Sequence, residues 1–313
     1  MSILVAVRGW SPEHWIDALK AAAPGRRIER APDVADPRAV RYARVWKPEP
    51  GYLSGFPNLE VVFSLGAGVD HLTSDPDLPD VPVVRIVDPD LTMRMTEWVA
   101  LQVLAHHRQE IAYRRFQEER RWRPLRQWTA AEMRVGIMGL GVLGQDAARA
   151  LRGLGFQVSG WSRSPKTVEG IACHHGEAGL DPFLAGTDIL VALLPLTDDT
   201  RGVLDAGLID RLAVDGPLGA PVLINGGRGG LQVEADIDAA LRDGRLAGAS
   251  LDVFQAEPLA ADSPLWTAPN CILTPHVAAE SDPAALSAYV LRQIDAYERG
   301  EGLSNLVDKA RGY

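Results

Sequence analysis

Residues 134–144 read RVGIMGLGVLG, an apolar run that ends in Gly139, Gly141 and Gly144 and passes into helix-forming sequence up to residue 152. Strand, glycine turn, helix is the grammar of a dinucleotide-binding turn. Each glycine answers a separate steric demand. Gly139 lets the chain turn tightly, Gly141 lets backbone approach a pyrophosphate, and Gly144 lets the new helix lie close on its strand. Val142 and Leu143 open that helix, so unpaired N–H groups and the positive dipole end face the phosphates.

Outward from this turn the strand and helix patterns alternate. Short apolar runs at 157–161, 189–194, 221–224, 249–253 and 271–273 are separated by helical intervals, which implies a parallel sheet covered on both faces with right-handed crossovers. Upstream, 3–7 is a compact β run, Ser11-Pro12-Glu13 opens an amphipathic stretch to residue 22, and further β runs fall at 42–46, 61–65 and 83–87. Residues 93–116 carry apolar side chains at helical spacing and predict one long helix joining two domains. A last helix over 283–299 is expected to return to the first domain. At 313 residues two domains are the natural division. The predicted fold is α/β: a Rossmann-type doubly wound parallel sheet domain at 100–285, inserted in a smaller α/β substrate domain made of 1–99 and 286–313.

The formal net charge is −9, so the surplus of Lys and Arg that neutralises phosphates in a nucleic-acid binder is absent. The basic stretch 114–126 is interrupted by Glu118 and Glu119 and reads as a solvated helix end and loop. No apolar stretch approaches the ~18 residues of a membrane span, and no charged leader precedes the first apolar run. Cys173 and Cys271 have neither metal nor disulfide spacing. The pairs His106/His107 and His174/His175 lack companion ligands, and surface or capping roles are expected for them. No metal is expected, nor a nucleic-acid or membrane partner, and the cytoplasm is the expected compartment.

Three loops just beyond predicted strands hold the residues suited to chemistry: Asn225-Gly226-Gly227-Arg228-Gly229, the segment from Asp252 to Glu257, and Thr274-Pro275-His276. The carboxyl ends of the strands line the ligand crevice of an open α/β sheet, so these loops can converge there. A guanidinium offers a fork to a carboxylate or keto oxygen, a histidine exchanges a proton near neutral pH, and a carboxylate behind it favours the imidazolium. Singly, Arg228 reads as a surface cation, Glu257 as a turn cap and His276 as a buried hydrogen-bonded histidine. At three successive strand ends behind a dinucleotide turn, they read as one site. About 18 residues past Gly144, where NAD-preferring sites place an acid for the ribose hydroxyls, stand Ser162, Arg163 and Ser164, with Lys166 close behind. Hydroxyls and cations suit a 2′-phosphate, so NADPH is the expected cofactor, with NADH usable.

With these motifs the sequence resembles the D-isomer-specific 2-hydroxyacid dehydrogenases over nearly its whole length. The resemblance is also carried by Gly66-Ala67-Gly68-Val69-Asp70, by Leu194-Pro195-Leu196-Thr197 with Thr200-Arg201-Gly202, and by Leu251-Asp252-Val253-Phe254 leading to Glu257-Pro258. Trp161-Ser162-Arg163-Ser164, Ser263-Pro264-Leu265-Trp266, His276-Val277-Ala278-Ala279 and the ending Ala310-Arg311-Gly312-Tyr313 make it most similar to members that reduce glyoxylate and hydroxypyruvate. The resemblance implies a flavodoxin-like smaller domain, a homodimer formed through the nucleotide domain, and reduction of small 2-keto acids to glycolate and D-glycerate. It makes His276 the proton donor, Glu257 its partner and Arg228 the anchor of carbonyl and carboxylate. Around the cofactor it adds Leu194, Pro195, Thr200, Asn225, Gly226, Gly227, Asp252 and His276 to the glycine turn and the 162–166 segment. Backbone N–H groups of Ala67 and Gly68 are expected to bind the substrate carboxylate, with Trp46 and Lys47 bordering the pocket. Many relatives have alanine immediately before the arginine. Gly227 stands here, and its backbone freedom is expected to loosen Arg228 without removing it. The alternative readings are an NAD-dependent dehydrogenase of a bulkier acid and a nucleotide-sensing, corepressor-like binding protein.

Overall fold

Two parallel sheets, each the centre of its own unit, carry the chain in the computed structural model, which describes residues 1–9 and 11–312. Tyr313, the last residue of the C-terminal motif, lies outside the described residues. The first unit holds Met1–Leu91 and the chain from Glu280 onward. Its elements are β1 (Ser2–Val7), α1 (Glu13–Ala22), β2 (Arg27–Arg30), β3 (Val40–Trp46), β4 (Val61–Ser64), the single turn α2 (Asp70–Thr73) and β5 (Val83–Val84). The strand order is β2-β1-β3-β4-β5 with every pair parallel, the flavodoxin-like order. β2, reading RIER, has no apolar run to reveal it because it is an edge strand with one buried position, Glu29.

The second unit spans Thr92–Ala279 and opens within α3 (Pro89–His107), followed by α4 (Glu110–Glu118). Then come β6 (Arg134–Met138), α5 (Val142–Gly153), β7 (Gln157–Ser162), β8 (Ala172–His175), α6 (Leu180–Ala185) and β9 (Ile189–Ala192). It closes with α7 (Ala206–Ile209), β10 (Val222–Asn225), α8 (Glu234–Asp243), β11 (Gly248–Leu251) and β12 (Cys271–Leu273), while α9 (Pro283–Glu298) belongs to the first unit. All strands are parallel in the order β12-β11-β10-β9-β6-β7-β8. Counted from β6, that is the doubly wound order 3-2-1-4-5-6 with a seventh strand beside it. Alternate residues serve opposite faces, as strand geometry requires. Leu190, Ala192 and Leu223 pack with Phe183, Leu208 and Ile237 on one side, and Ile189, Val191, Val222 and Ile224 with Val99, Ala147 and Leu151 on the other.

The unit begins earlier than residue 100 because Met95 and Trp98 are already buried in its core. The single long helix expected over 93–116 is two helices. Gln109 has φ 57°, a left-handed backbone that an α-helix cannot continue through. His106 and His107, expected at the surface or as caps, are buried. His106 Nε2 lies 2.9 Å from Ser250 Oγ on β11, and Ser250 Oγ donates to Gln102 Oε1 at 2.9 Å. Burial in this network pushes the His106 pKa down to about 4. Among the described residues, no helix is long and apolar enough to cross a membrane, and no cluster of three or more His, Cys, Asp or Glu side chains could hold a metal.

Candidate active site

The glycine turn joins β6 to α5. Gly139 has φ +114°, and a Cβ there would lie 2.7 Å from the Leu193 carbonyl oxygen. A Cβ on Gly144 would stand 1.9 Å from the Gly139 oxygen, so helix and strand meet at a distance only glycine permits. Gly141 is different: nothing in the protein lies within 4 Å of an added Cβ. Its missing side chain therefore leaves room for something outside the chain, the demand a pyrophosphate makes. Gly141 is also the N-cap of α5 and offers no side chain to bond the first helical N–H groups of Val142, Leu143 and Gly144. The cradle fits a dinucleotide.

The loops on either side of this turn follow β7 and β9, the two neighbours of β6. Ser162, expected to face a 2′-phosphate, is buried, and its hydroxyl donates to Ser164 O at 2.8 Å, so it shapes the loop instead. Arg163, Ser164 and Lys166 are exposed, and Arg163 Nη1 pairs with Asp199 Oδ2 at 3.6 Å. Beyond β9, Leu194 is buried. Thr200 Oγ1 donates to Pro195 O at 2.7 Å and accepts from Thr197 N at 2.8 Å, which closes the loop on itself.

Arg228, Glu257 and His276 follow the adjacent strands β10, β11 and β12. Their loops are tied from below by buried polar side chains. Asn225 Nδ2 donates to Arg228 O at 3.1 Å and to Gln232 Oε1 at 2.8 Å, and Asn225 Oδ1 accepts from Gly227 N at 3.0 Å. Gln232 Nε2 donates to Val253 O at 2.9 Å, joining the first loop to the second. A Cβ on Gly229 would collide with the Phe254 carbonyl at 1.9 Å, so these two backbones touch. Gly226 faces Trp98 less closely, at 3.0 Å from an added Cβ. Gly227 is closely confined. Its N–H is bonded, its carbonyl accepts from Arg228 Nη1 at 2.9 Å, and a Cβ would sit 2.9 Å from Leu231 and 3.0 Å from Leu194 O.

Asp252, expected among the cofactor-binding residues, serves the histidine loop. Its buried carboxylate accepts from Thr274 Oγ1 at 2.6 Å, Val277 N at 2.9 Å and Ala278 N at 2.9 Å. Its backbone oxygen accepts from His276 N at 2.7 Å. That support holds His276 at φ +57°, a conformation that costs a non-glycine residue about 1–3 kcal/mol. The imidazole is thereby aimed at Glu257, with Nδ1 at 3.0 and 2.9 Å from the two carboxylate oxygens. An ionised carboxylate only accepts, so Nδ1 carries the hydrogen and Nε2 is the nitrogen through which a proton can pass to or from a reacting group. Both side chains remain partly exposed, 30% and 24%, so solvent-borne molecules can reach them.

In the first unit, Trp46 ends β3 and is buried against the turn after β4, where a Cβ on Gly66 would lie 2.4 Å from the indole. Lys47, at φ 44°, holds its ammonium 5.6 Å from the Trp46 ring centre. Ser64 Oγ accepts from Gly66 N at 3.2 Å, and the following N–H groups of Ala67 and Gly68 have no hydrogen-bond acceptor among the described residues. These four predicted positions thus share one corner of that unit.

The D-isomer specific 2-hydroxyacid dehydrogenase NAD-binding domain matches residues 100–278. This chain belongs to the D-isomer specific 2-hydroxyacid dehydrogenase family. Within it, a glyoxylate/hydroxypyruvate reductase A of Salmonella paratyphi B is 41% identical over 305 residues, 96% of each chain. The NADPH-dependent glyoxylate/hydroxypyruvate reductase of Sinorhizobium meliloti, solved with NADP and sulfate, is 51% identical, with TM-score 0.95 and full coverage of both chains. A probable 2-hydroxyacid dehydrogenase from Rhizobium etli, solved with NADP, HEPES and tartaric acid, is 48% identical, with TM-score 0.94 over 100% of this chain and 99% of that one. Strand ends, and then the family's sequence pattern, led to Arg228, Glu257 and His276. It did not reveal Gln232 or the bracing role of Asp252, which have no motif and are visible only once the loops are side by side.

Proposed function

We propose that this protein reduces small 2-keto acids, glyoxylate and hydroxypyruvate foremost, to glycolate and D-glycerate with NADPH. The observation that carries this reading is the His276 imidazole clasped by both Glu257 oxygens at the strand ends of a sheet whose glycine turn fits a dinucleotide. A bound nicotinamide cofactor supplies the hydride that C2 receives. His276, its Nδ1–H fixed by Glu257, gives its Nε2 proton to the keto oxygen as that oxygen gains negative charge, and Glu257 stabilises the histidine while it is charged. Arg228 polarises the carbonyl and holds the substrate carboxylate through its fork of N–H groups. In the first unit, the Ala67 and Gly68 N–H groups offer donors of the kind that hold a carboxylate, and Trp46 and Lys47 border them.

NADPH is favoured over NADH by Arg163, Ser164 and Lys166, and no acid stands at 162–166 to take the ribose hydroxyls. A homodimer is favoured by Met93, Leu101 and Leu104 on α3, which are large, apolar and exposed, and by Trp122, which is fully exposed. The cytoplasm is the proposed compartment. Absorbance at the reduced-nicotinamide band, with glyoxylate, hydroxypyruvate and pyruvate against each cofactor, tests the activity. Oxidation of NADPH fastest with the first two acids is expected. No turnover with any of them, or equal efficiency with NADH, would contradict the reading.

A further inference from the structure

The Arg163–Asp199 ion pair lies where the topology gives it a consequence for cofactor choice. Arg163 follows β7 and Asp199 follows β9, and β6 runs between those strands, paired to both. The two loops start about 10 Å apart, two strand spacings, on either side of the Gly139–Gly144 turn. The pair at 3.6 Å spans that mouth, with both side chains largely in solvent, 49% and 78% exposed. The Asp199 side is stiff, because Thr200 Oγ1 bonds Pro195 O and Thr197 N within the same loop. Arg163 therefore meets a carboxylate carried on a braced loop before any ligand arrives.

We propose that Asp199 is a specificity-determining residue that competes with the cofactor 2′-phosphate for Arg163 and so holds back the affinity for NADPH. The inference rests on the NADPH reading above. A 2′-phosphate brings a charge of about −1.5 to −2 near neutral pH and three strong acceptor oxygens, so it outbids a single exposed carboxylate for the guanidinium. It must still displace that carboxylate and then sit near it. NADH has no such group, and Asp199 is indifferent to it. An exposed ion pair is worth at most about 1 kcal/mol, and that sets the scale of the effect at about fivefold.

Calorimetric titration of NADP⁺ and NAD⁺ into the wild type, Asp199→Asn, Arg163→Gln and the double variant tests this. Asp199→Asn should tighten NADP⁺ binding by about two- to fivefold and leave NAD⁺ binding as it was. The gain should vanish when Arg163 is already glutamine, and should shrink at high salt, which screens exposed charges. Unchanged or weaker NADP⁺ binding in Asp199→Asn overturns the inference, because Asp199 would then be a bystander or a residue that positions Arg163. A gain that persists without Arg163 also overturns it, since the effect would be plain repulsion. If the wild type binds NADP⁺ no better than NAD⁺, the NADPH reading fails first and the inference falls with it. A wild-type preference for NADP⁺ that Asp199→Asn leaves untouched sinks the inference alone.

Discussion

The loops beyond β10, β11 and β12 and the loop beyond β7 stand on one sheet yet are built in opposite ways. Under Arg228, Glu257 and His276 lie the buried side chains of Asn225, Gln232 and Asp252, each bonded to backbone of the loops it supports. Arg163, Ser164 and Lys166 are exposed, while the Ser162 hydroxyl bonds Ser164 O and Arg163 pairs with exposed Asp199. The difference follows from what each task needs. Proton transfer requires a heavy-atom approach of about 2.6–3.2 Å, and a loop that wanders by an ångström loses it. Attraction between a cation and a phosphate falls off only as the inverse of distance, so exposed side chains without a buried brace suffice.

Breaking the bracing of the first region should have the largest effect. Asp252→Ala leaves Val277 N and Ala278 N without their acceptor, at about 1–3 kcal/mol each, and frees the loop that holds His276 at positive φ. Urea unfolding should show a loss of several kcal/mol, and kcat should fall by about 100-fold or more, within the range of general acid catalysis. Wild-type kcat in this variant would show that the histidine needs no such brace.

The network behind β11 gives a pH-dependent test of the same rigidity. His106 stays neutral in the folded protein until about pH 4, whereas the unfolded chain protonates it near 6.5. Between those values the unfolded state holds more protons, so the stabilisation is intact above about pH 6.5 and is lost as pH falls toward 4, by about 3 kcal/mol. In His106→Gln, unfolding free energy from urea titrations should depend less steeply on pH across this window. Identical slopes would mean that the buried histidine does not carry the acid sensitivity.

The smallest of these effects on the fold should come from Gly141→Ala, which probes the ligand-facing side of the comparison. An added methyl meets no protein atom within 4 Å, so stability should stay within about 1 kcal/mol, as for surface changes. NADP⁺ binding should nevertheless weaken by about tenfold, the size of one lost close contact to phosphate. Unaltered NADP⁺ affinity would mean that the open space at Gly141 is not the pyrophosphate cradle.

What could be read from the sequence was whatever is decided locally. The Gly139–Gly144 turn is a demand of the backbone upon itself, and the buried strands β6, β9 and β10 announce themselves as apolar runs. The three chemical residues were found because a strand end precedes each. What depends on distant partners stayed hidden. β2 and β8 are edge strands with mixed faces, and the helix break at Gln109 has no glycine or proline to mark it. His106 looked like a surface residue because its partner Ser250 is 144 positions away. The bracing duty of Asp252 stayed unread, since the donors it accepts from lie 22 to 26 residues downstream and meet it only when β12 pairs with β11.

The division between a braced chemical region and an exposed charge-reading one is tested most directly by measuring kcat with glyoxylate and NADP⁺ affinity side by side in His276→Ala and Arg163→Ala. His276→Ala should lose about 100- to 10,000-fold in kcat and keep its NADP⁺ affinity. Arg163→Ala should bind NADP⁺ about tenfold more weakly and keep its kcat at saturating cofactor. Turnover that survives in His276→Ala, or kcat and affinity that fall together in both variants, would contradict it.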